Sequence, residues 1–322
     1  MIVVFDTFDR VTSKRPRLKS GDASIEMAGG YAGYKGNVKG VVLGAYTGIP
    51  GKGCDGDGDW VHAHDGDGLR YTTATAEFGS DYGDRNQVEL VVSQTGDKQV
   101  TFIEPVARLG FGLAVRSALR MVETEFVWVQ QHDWALVADI PIQGLVEVMQ
   151  SPTSPSTATS TDGGSDGDKA DKTPIKYISF PSIRMLHYAS SPVVTAHPTL
   201  RHLTTTLQRT FTPPSQPNLS IPLTPLFFWF DKPHLAHTSH YLARVFPTRL
   251  AMRRGEFIED KIGQRARAQM KEGDGRLWRK WACWLYYPED GGSVCLRHLM
   301  GRTWRGGEGV GDVHAKVLEG RE

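Results

Sequence analysis

Three cysteines in 322 residues, Cys54, Cys283 and Cys295, are an odd number with no metal-ligand spacing, which excludes a disulfide framework and a thiolate cluster. Counting outward from the turn signal Glu289-Asp290-Gly291-Gly292 of an expected hairpin, Cys283 falls opposite roughly His298 and Cys295 opposite roughly Tyr286. Both therefore read as small buried hydrophobes, not as a cross-link. Charge of one sign is equally scarce. The net charge is +1 and no basic block tracks a phosphate backbone, so no nucleic-acid partner is expected. The clusters Arg253-Arg254 and Arg265, Arg267 read as solvated helix surface. No window approaches ~20 uncharged apolar residues, so no integral membrane span is expected. The start Met1-Ile2-Val3-Val4-Phe5-Asp6 is too short and too soon charged for a signal peptide. Cytoplasmic localisation is the default expectation, and a longer native N-terminus would change it to the Golgi or ER lumen.

What the chain does have is enough apolar residue, 39% of the total with 10% aromatic, for one sizeable core or two smaller ones. Residues 1–85 are rich in Gly and Asp and form an N-terminal part, the divergent start of the same domain. The segments Met1 to Phe5 and Val38 to Leu43 read as strand-like, and Val88-Glu89-Leu90-Val91-Val92 more strongly so. The core is expected over 86–305, with a tail over 306–322. Residues 151–173 hold almost only Ser, Thr, Pro, Gly, Asp, Ala and Lys. Such a composition cannot bury a core, so it reads as a disordered loop inserted between a helix and a strand.

Chemistry concentrates where apolar segments stop in polar groups. Phe111, Val115, Ala118, Leu119 and Val122 share one face of a helix expected over 111–123. The strand Phe126-Val127-Trp128-Val129 follows and ends in Gln130-Gln131-His132-Asp133. A buried strand ending in metal-capable side chains suits the carboxyl edge of an open α/β sheet, although solvated capping accounts for the same pattern. Further on, Glu259-Asp260 opens a helix with Ile262, Ala266 and Met270 on one face, and acidic residues there also suit plain capping. Val294 to Leu299 reads as a short strand carrying Arg297 and His298, with Arg302 after it.

Taken in order, these segments resemble the GT-A-fold nucleotide-sugar glycosyltransferases, particularly the family-2 type. Gly110 to Glu125 resembles the helix that leads into the DXD strand, and Phe126 to Asp133 resembles that strand. Ile175 to Pro181 resembles the next core strand, Pro225 to Phe230 the acceptor-side strand, Glu259-Asp260 the acidic pair, and His298 the late His. The resemblance covers roughly residues 86–305. It implies an α/β fold with a mostly parallel central sheet flanked by helices. It also implies a nucleotide-sugar donor, a glycan, lipid or protein acceptor, and a divalent metal, Mn²⁺ or Mg²⁺. Asp260 is implied as general base, with Glu259 as a positioning group. Where the family carries two or more carboxylates, this chain has the single Asp133.

The residues themselves suit that chemistry. A sugar nucleotide leaves behind a charged diphosphate, which a cation held by Asp133, His132 and His298 would neutralise. A site containing imidazole favours Mn²⁺ over Mg²⁺. Gln131, Asp133, Arg297 and Arg302 are the candidate donor contacts, since guanidinium groups match phosphate oxygens. A catalytically degenerate binding protein with the same fold is the alternative. A third reading rests on Asp55 to Asp67, which contains His62-Ala63-His64-Asp65. Its spacing fits neither a calcium loop nor the H-x-H-x-D motif, so a metal-dependent hydrolase using His62 and His64 competes with a flexible acidic loop. Trp229 and Trp284 are read as core packing, with sugar stacking as the lesser use.

Overall fold

Strict alternation of Val88, Leu90 and Val92 with Glu89 and Val91 places the first three on one side of an extended chain, and all three are buried. That strand anchors the first half of the protein. The computed structural model describes residues 1–14, 21–47, 68–80, 85–151, 173–248, 251–272 and 275–299. In chain order it contains β1 (Ile2–Val4), β2 (Arg10–Thr12), β3 (Asp22–Ser24), α1 (Ile25–Thr47), β4 (Leu69–Gly79), β5 (Arg85–Thr95), β6 (Thr101–Pro105), α2 (Phe111–Leu119), β7 (Phe126–Val129) and β8 (Trp134–Leu136). It continues with α3 (Ile142–Gln150), β9 (Tyr177–Ser179), α4 (Pro192–Thr195), α5 (Pro198–Leu207), β10 (Arg209–Phe211), β11 (Ile221–Pro225), β12 (His234–His237), α6 (Thr238–Val245), α7 (Gln264–Lys271), α8 (Arg276–Trp281), β13 (Cys283–Tyr286) and β14 (Leu296–His298).

The chain forms two compact units, Met1–Val127 with His237–Arg265, and Trp128–Ala236 with Ala266–Glu322. In the first, the sheet order is β1-β6-β5-β4. β4 and β5 form a long antiparallel hairpin, β6 continues it antiparallel, and β1 joins β6 in parallel. Phe5, Val42, Val100 and Phe102 make a core cluster, with Val3, Val38, Leu43 and Leu69 packed against it. Val38 to Leu43 was expected to be extended and is helical instead, inside α1. The reason lies in the spacing: Val38 and Val42 are i,i+4, as are Lys35 and Lys39, which both bind Glu104.

In the second unit the sheet order is β10-β11-β13-β9-β12-β7. β9 and β13 run parallel, while β10–β11, β11–β13 and β9–β12 are antiparallel. Helices with mixed sheets make this an α/β protein. Among the described residues antiparallel pairings predominate, and the parallel ones are β1–β6, β2–β3 and β9–β13. No helix among the described residues is long and apolar enough to cross a membrane.

Two local expectations are corrected. The acceptor-side strand expected over 225–230 ends at Pro225, with Leu226 N–H still donating to the Cys283 carbonyl at 2.9 Å, and Leu226, Phe227 and Trp229 are buried. The expected hairpin around Glu289-Asp290 is also absent, because β13 pairs with β9 and β11 while β14 pairs with β8. Cys283 and Cys295 are buried free thiols, and burial pushes the Cys295 thiol up to about 11. Cys54, residues 152–172 of the inserted segment and the tail 306–322 lie outside the described residues.

Four tryptophans, Trp229, Trp278, Trp281 and Trp284, lie fully buried in the second unit, so Trp229 and Trp284 are core and present no face to a sugar. Trp284 Nε1 donates to the Pro174 carbonyl at 3.1 Å, and its ring meets Trp278 edge-on at 5.3 Å. Trp284→Ala is expected to cost about 3–5 kcal/mol of folding free energy, measured by denaturant titration. His234 is fully buried, with Nδ1 2.8 Å from the Lys232 carbonyl. Burial pushes its imidazole down to about 4, against a smaller opposing effect of that carbonyl. An unfolded imidazole binds its proton near pH 6.5, so the unfolded chain takes up the extra proton as pH drops. Stability is therefore expected to fall from pH 6.5 to about 4 and to be insensitive to this group above pH 6.5. The slope, read from unfolding midpoints, reaches at most about 1.4 kcal/mol per pH unit, and His234→Phe removes that part of it.

Candidate functional site

Parallel β1 and β6 both point their carboxyl ends at the start of α2. Open α/β sheets place their chemistry at such an edge. Asp6, two residues past β1, accepts the Leu109 N–H at 2.6 Å and the Gly110 N–H at 2.8 Å, and Thr7 N–H adds a third bond at 3.1 Å. Burial raises its carboxyl above the usual range, and the Leu109 and Gly110 bonds work against that rise. Gly110 precedes α2 with φ +82°, a conformation that suits glycine. A Cβ there would lie 2.4 Å from Gly255 Cα, so two backbones touch at this point. Gly255 N–H donates to the Leu109 carbonyl at 2.7 Å, and Gly112 N–H to the Glu256 carbonyl at 3.2 Å. The Phe111 and Phe257 rings stack at 6.2 Å.

The segment held in this way forms an open pocket of about 420 Å³ lined by Arg253, Gly255, Glu256, Phe257, Asp260 and Lys261. Asp260 is exposed and Glu259 is half-buried. They begin a π-helical turn, Glu259–Gly263, that runs directly into α7. The expected apolar face exists, since Ile262, Ala266 and Met270 are all buried. Glu256 organises the pocket's cations: its carboxylate accepts the Arg253 backbone N–H at 2.7 Å and pairs with Lys261 at 3.0 Å.

The other candidate group belongs to the second unit. β8 and β14 pair antiparallel with His298 opposite Trp134, which brings His298 Nε2 to 3.2 Å from Asp133 Oδ2. Leu299 N–H donates to the Asp133 carbonyl at 2.7 Å, and the Trp134 ring meets His298 edge-on at 4.9 Å. Arg297 precedes His298 on the same strand, so the two side chains leave opposite faces. Gln130 closes the turn by donating to the Gln131 carbonyl at 3.0 Å and the Trp134 carbonyl at 2.6 Å. Gln131 is half-buried and His132 exposed. Arg302, His62 and His64 lie outside the described residues.

Asp133 and His298 are thus brought together, whereas Asp260 and Glu259 belong to the other unit. No group of three or more His, Cys, Asp or Glu side chains positioned for a metal occurs among the described residues. At 3.2 Å, Asp133 Oδ2 and His298 Nε2 stand at the distance of a direct hydrogen bond or ion pair, and they supply two candidate ligands.

Two residues escaped the sequence reading. Asp6 ends the apolar run Ile2-Val3-Val4-Phe5 just as Asp133 follows Phe126 to Val129, and that shared pattern was the available signal. Arg116 sits inside α2 at 1% exposure, where burial lowers its guanidinium to about 10. The expected one-sided helix is buried on nearly every side.

The His298 side chain is 45% exposed and that of Asp133 17%, so their pairing contributes little to folding. His298→Ala is expected to change unfolding free energy by less than about 1 kcal/mol in denaturant titrations. A larger loss would make the pair structural.

No protein-family model, no curated protein and no solved structure matches this chain.

Proposed function

We propose that this protein is a GT-A-like glycosyltransferase that binds a nucleotide-sugar donor and moves the sugar to a hydroxyl of a glycan, lipid or protein acceptor. The observation that carries the reading is Asp260, an exposed carboxylate on the wall of an open pocket that also holds Arg253 and Lys261. A GT-A-like fold, in a form whose sheets are mixed where a mostly parallel one was expected, belongs to the same proposal. It draws on the parallel β1–β6 pair followed by α2 and on the parallel β9–β13 pair.

Asp260 takes the acceptor hydroxyl proton as that oxygen attacks the anomeric carbon. The new carbon–oxygen bond forms there while the bond to the diphosphate oxygen breaks, and its electron pair leaves with the diphosphate. Glu259 steadies the turn that presents Asp260. Asp133 and His298 would hold a divalent cation, Mn²⁺ in preference to Mg²⁺, with His132 beside them. A cation held there would supply charge neutralisation to a diphosphate. Gln131 and Arg302 are proposed donor contacts, and Arg297, on the opposite face of β14 from His298, is not one of them.

Donor hydrolysis screened across nucleotide sugars with Mn²⁺ tests the reading. Turnover is expected with at least one donor, and Asp260→Asn is expected to lower it by roughly 10²–10⁴-fold. No turnover with any donor, or turnover unaffected by Asp260→Asn, would sink it. A second reading, a nucleotide-binding protein that has lost turnover, is favoured by the single carboxylate in the Asp133–His298 pair. Calorimetric binding of a nucleotide sugar without turnover would select it.

A further inference from the structure

We propose that Asp6 is a positioning residue for the Asp260 pocket, acting through the backbone of Leu109 and Gly110. This rests on the transferase reading for its catalytic consequence, but its structural part stands without it. The chain of contacts is short and almost wholly main-chain. The Asp6 carboxylate takes the N–H groups of Leu109 and Gly110 at 2.6 and 2.8 Å. Leu109 accepts the Gly255 N–H at 2.7 Å, and Glu256 accepts the Gly112 N–H at 3.2 Å. Gly255, Glu256, Phe257 and Asp260 are themselves walls of the pocket.

The Gly110–Gly255 contact is backbone on backbone, since a Cβ on Gly110 would meet Gly255 Cα at 2.4 Å, and beside it the Met252 side chain packs so close to Gly112 that a Cβ there would meet its Sδ at 1.8 Å. A shift of Leu109–Gly110 therefore passes directly into the segment 252–257, because close-packed backbones have no slack to absorb it. The same loop makes a second tie: Asp9 pairs with Arg108 at 3.4 Å and with Arg254 at 3.1 Å, one residue before Gly255. The carboxylate is the component of this path that nothing uncharged replaces. An asparagine keeps one acceptor but turns an N–H₂ group toward the second backbone N–H, which sets donor against donor.

The test is amide hydrogen exchange on the full chain, wild type against Asp6→Asn, followed at Gly112 and Gly255. Exchange at both is expected to rise by roughly tenfold or more, while amides of β9 and β13 keep their wild-type rates. Unchanged exchange at Gly112 and Gly255 in folded Asp6→Asn overturns the proposal. If Asp6→Asn does not fold, Asp6→Glu, which keeps the charge and displaces it by one methylene, is read in the same way. Donor turnover separates positioning from general weakening: Asp6→Asn/Asp260→Asn is expected to be no slower than Asp260→Asn alone, because Asp6 acts through Asp260. Losses that multiply would show an independent role and overturn it. If the wild type turns over no donor, the transferase reading fails while the exchange result still decides the role of Asp6.

Discussion

A half-buried carboxylate two residues after a three-residue strand finds its hydrogen bonds in backbone, and for Asp6 these are the N–H groups of Leu109 and Gly110. Much of the first unit's organisation depends on that bond set. It joins the carboxyl end of β1 to the start of α2, and β1 and β6 are already parallel neighbours. Glycines at 110 and 255 then let a distant segment close onto the same point, backbone against backbone. Asp260 lines the same pocket as Gly255, five residues further along the chain.

The Asp133–His298 pair obeys a different logic. Two short strands, β8 and β14, place it by register alone, with His298 opposite Trp134. Both side chains keep contact with solvent, so neither charge is costly and neither contributes much to the fold. A pair of this kind costs the fold little to maintain. The buried Trp cluster of the same unit supplies stability without reaching a ligand.

The parts of the fold that were readable from sequence were those with strong local periodicity. The alternation of Val88 to Val92, the run Phe126 to Val129 and the buried face Ile262, Ala266 and Met270 all lie in elements of the expected kind. Val38 to Leu43 misled because β-branched residues favour strands, while i,i+4 packing of Val38 and Val42 and the ties of Lys35 and Lys39 to Glu104 fix a helix. The hairpin over Glu289-Asp290 misled for a related reason: a turn signal says that the chain reverses, not which strands then pair. Within the candidate site, Asp133 and His298 could be named from their strand-end positions. Asp6 was missed because its importance comes from backbone N–H groups some hundred positions away, which carry no side-chain signature.

The proposed function has two separable halves, a cation held by Asp133 and His298 in one unit and a general base at Asp260 in the other. Anomalous diffraction from a crystal soaked in Mn²⁺ tests its first half most directly. An anomalous peak at ~2.2 Å from the Asp133 carboxylate and the His298 imidazole is the expected result. A peak elsewhere in the molecule, or none at that pair with Mn²⁺ bound at other carboxylates, would contradict it.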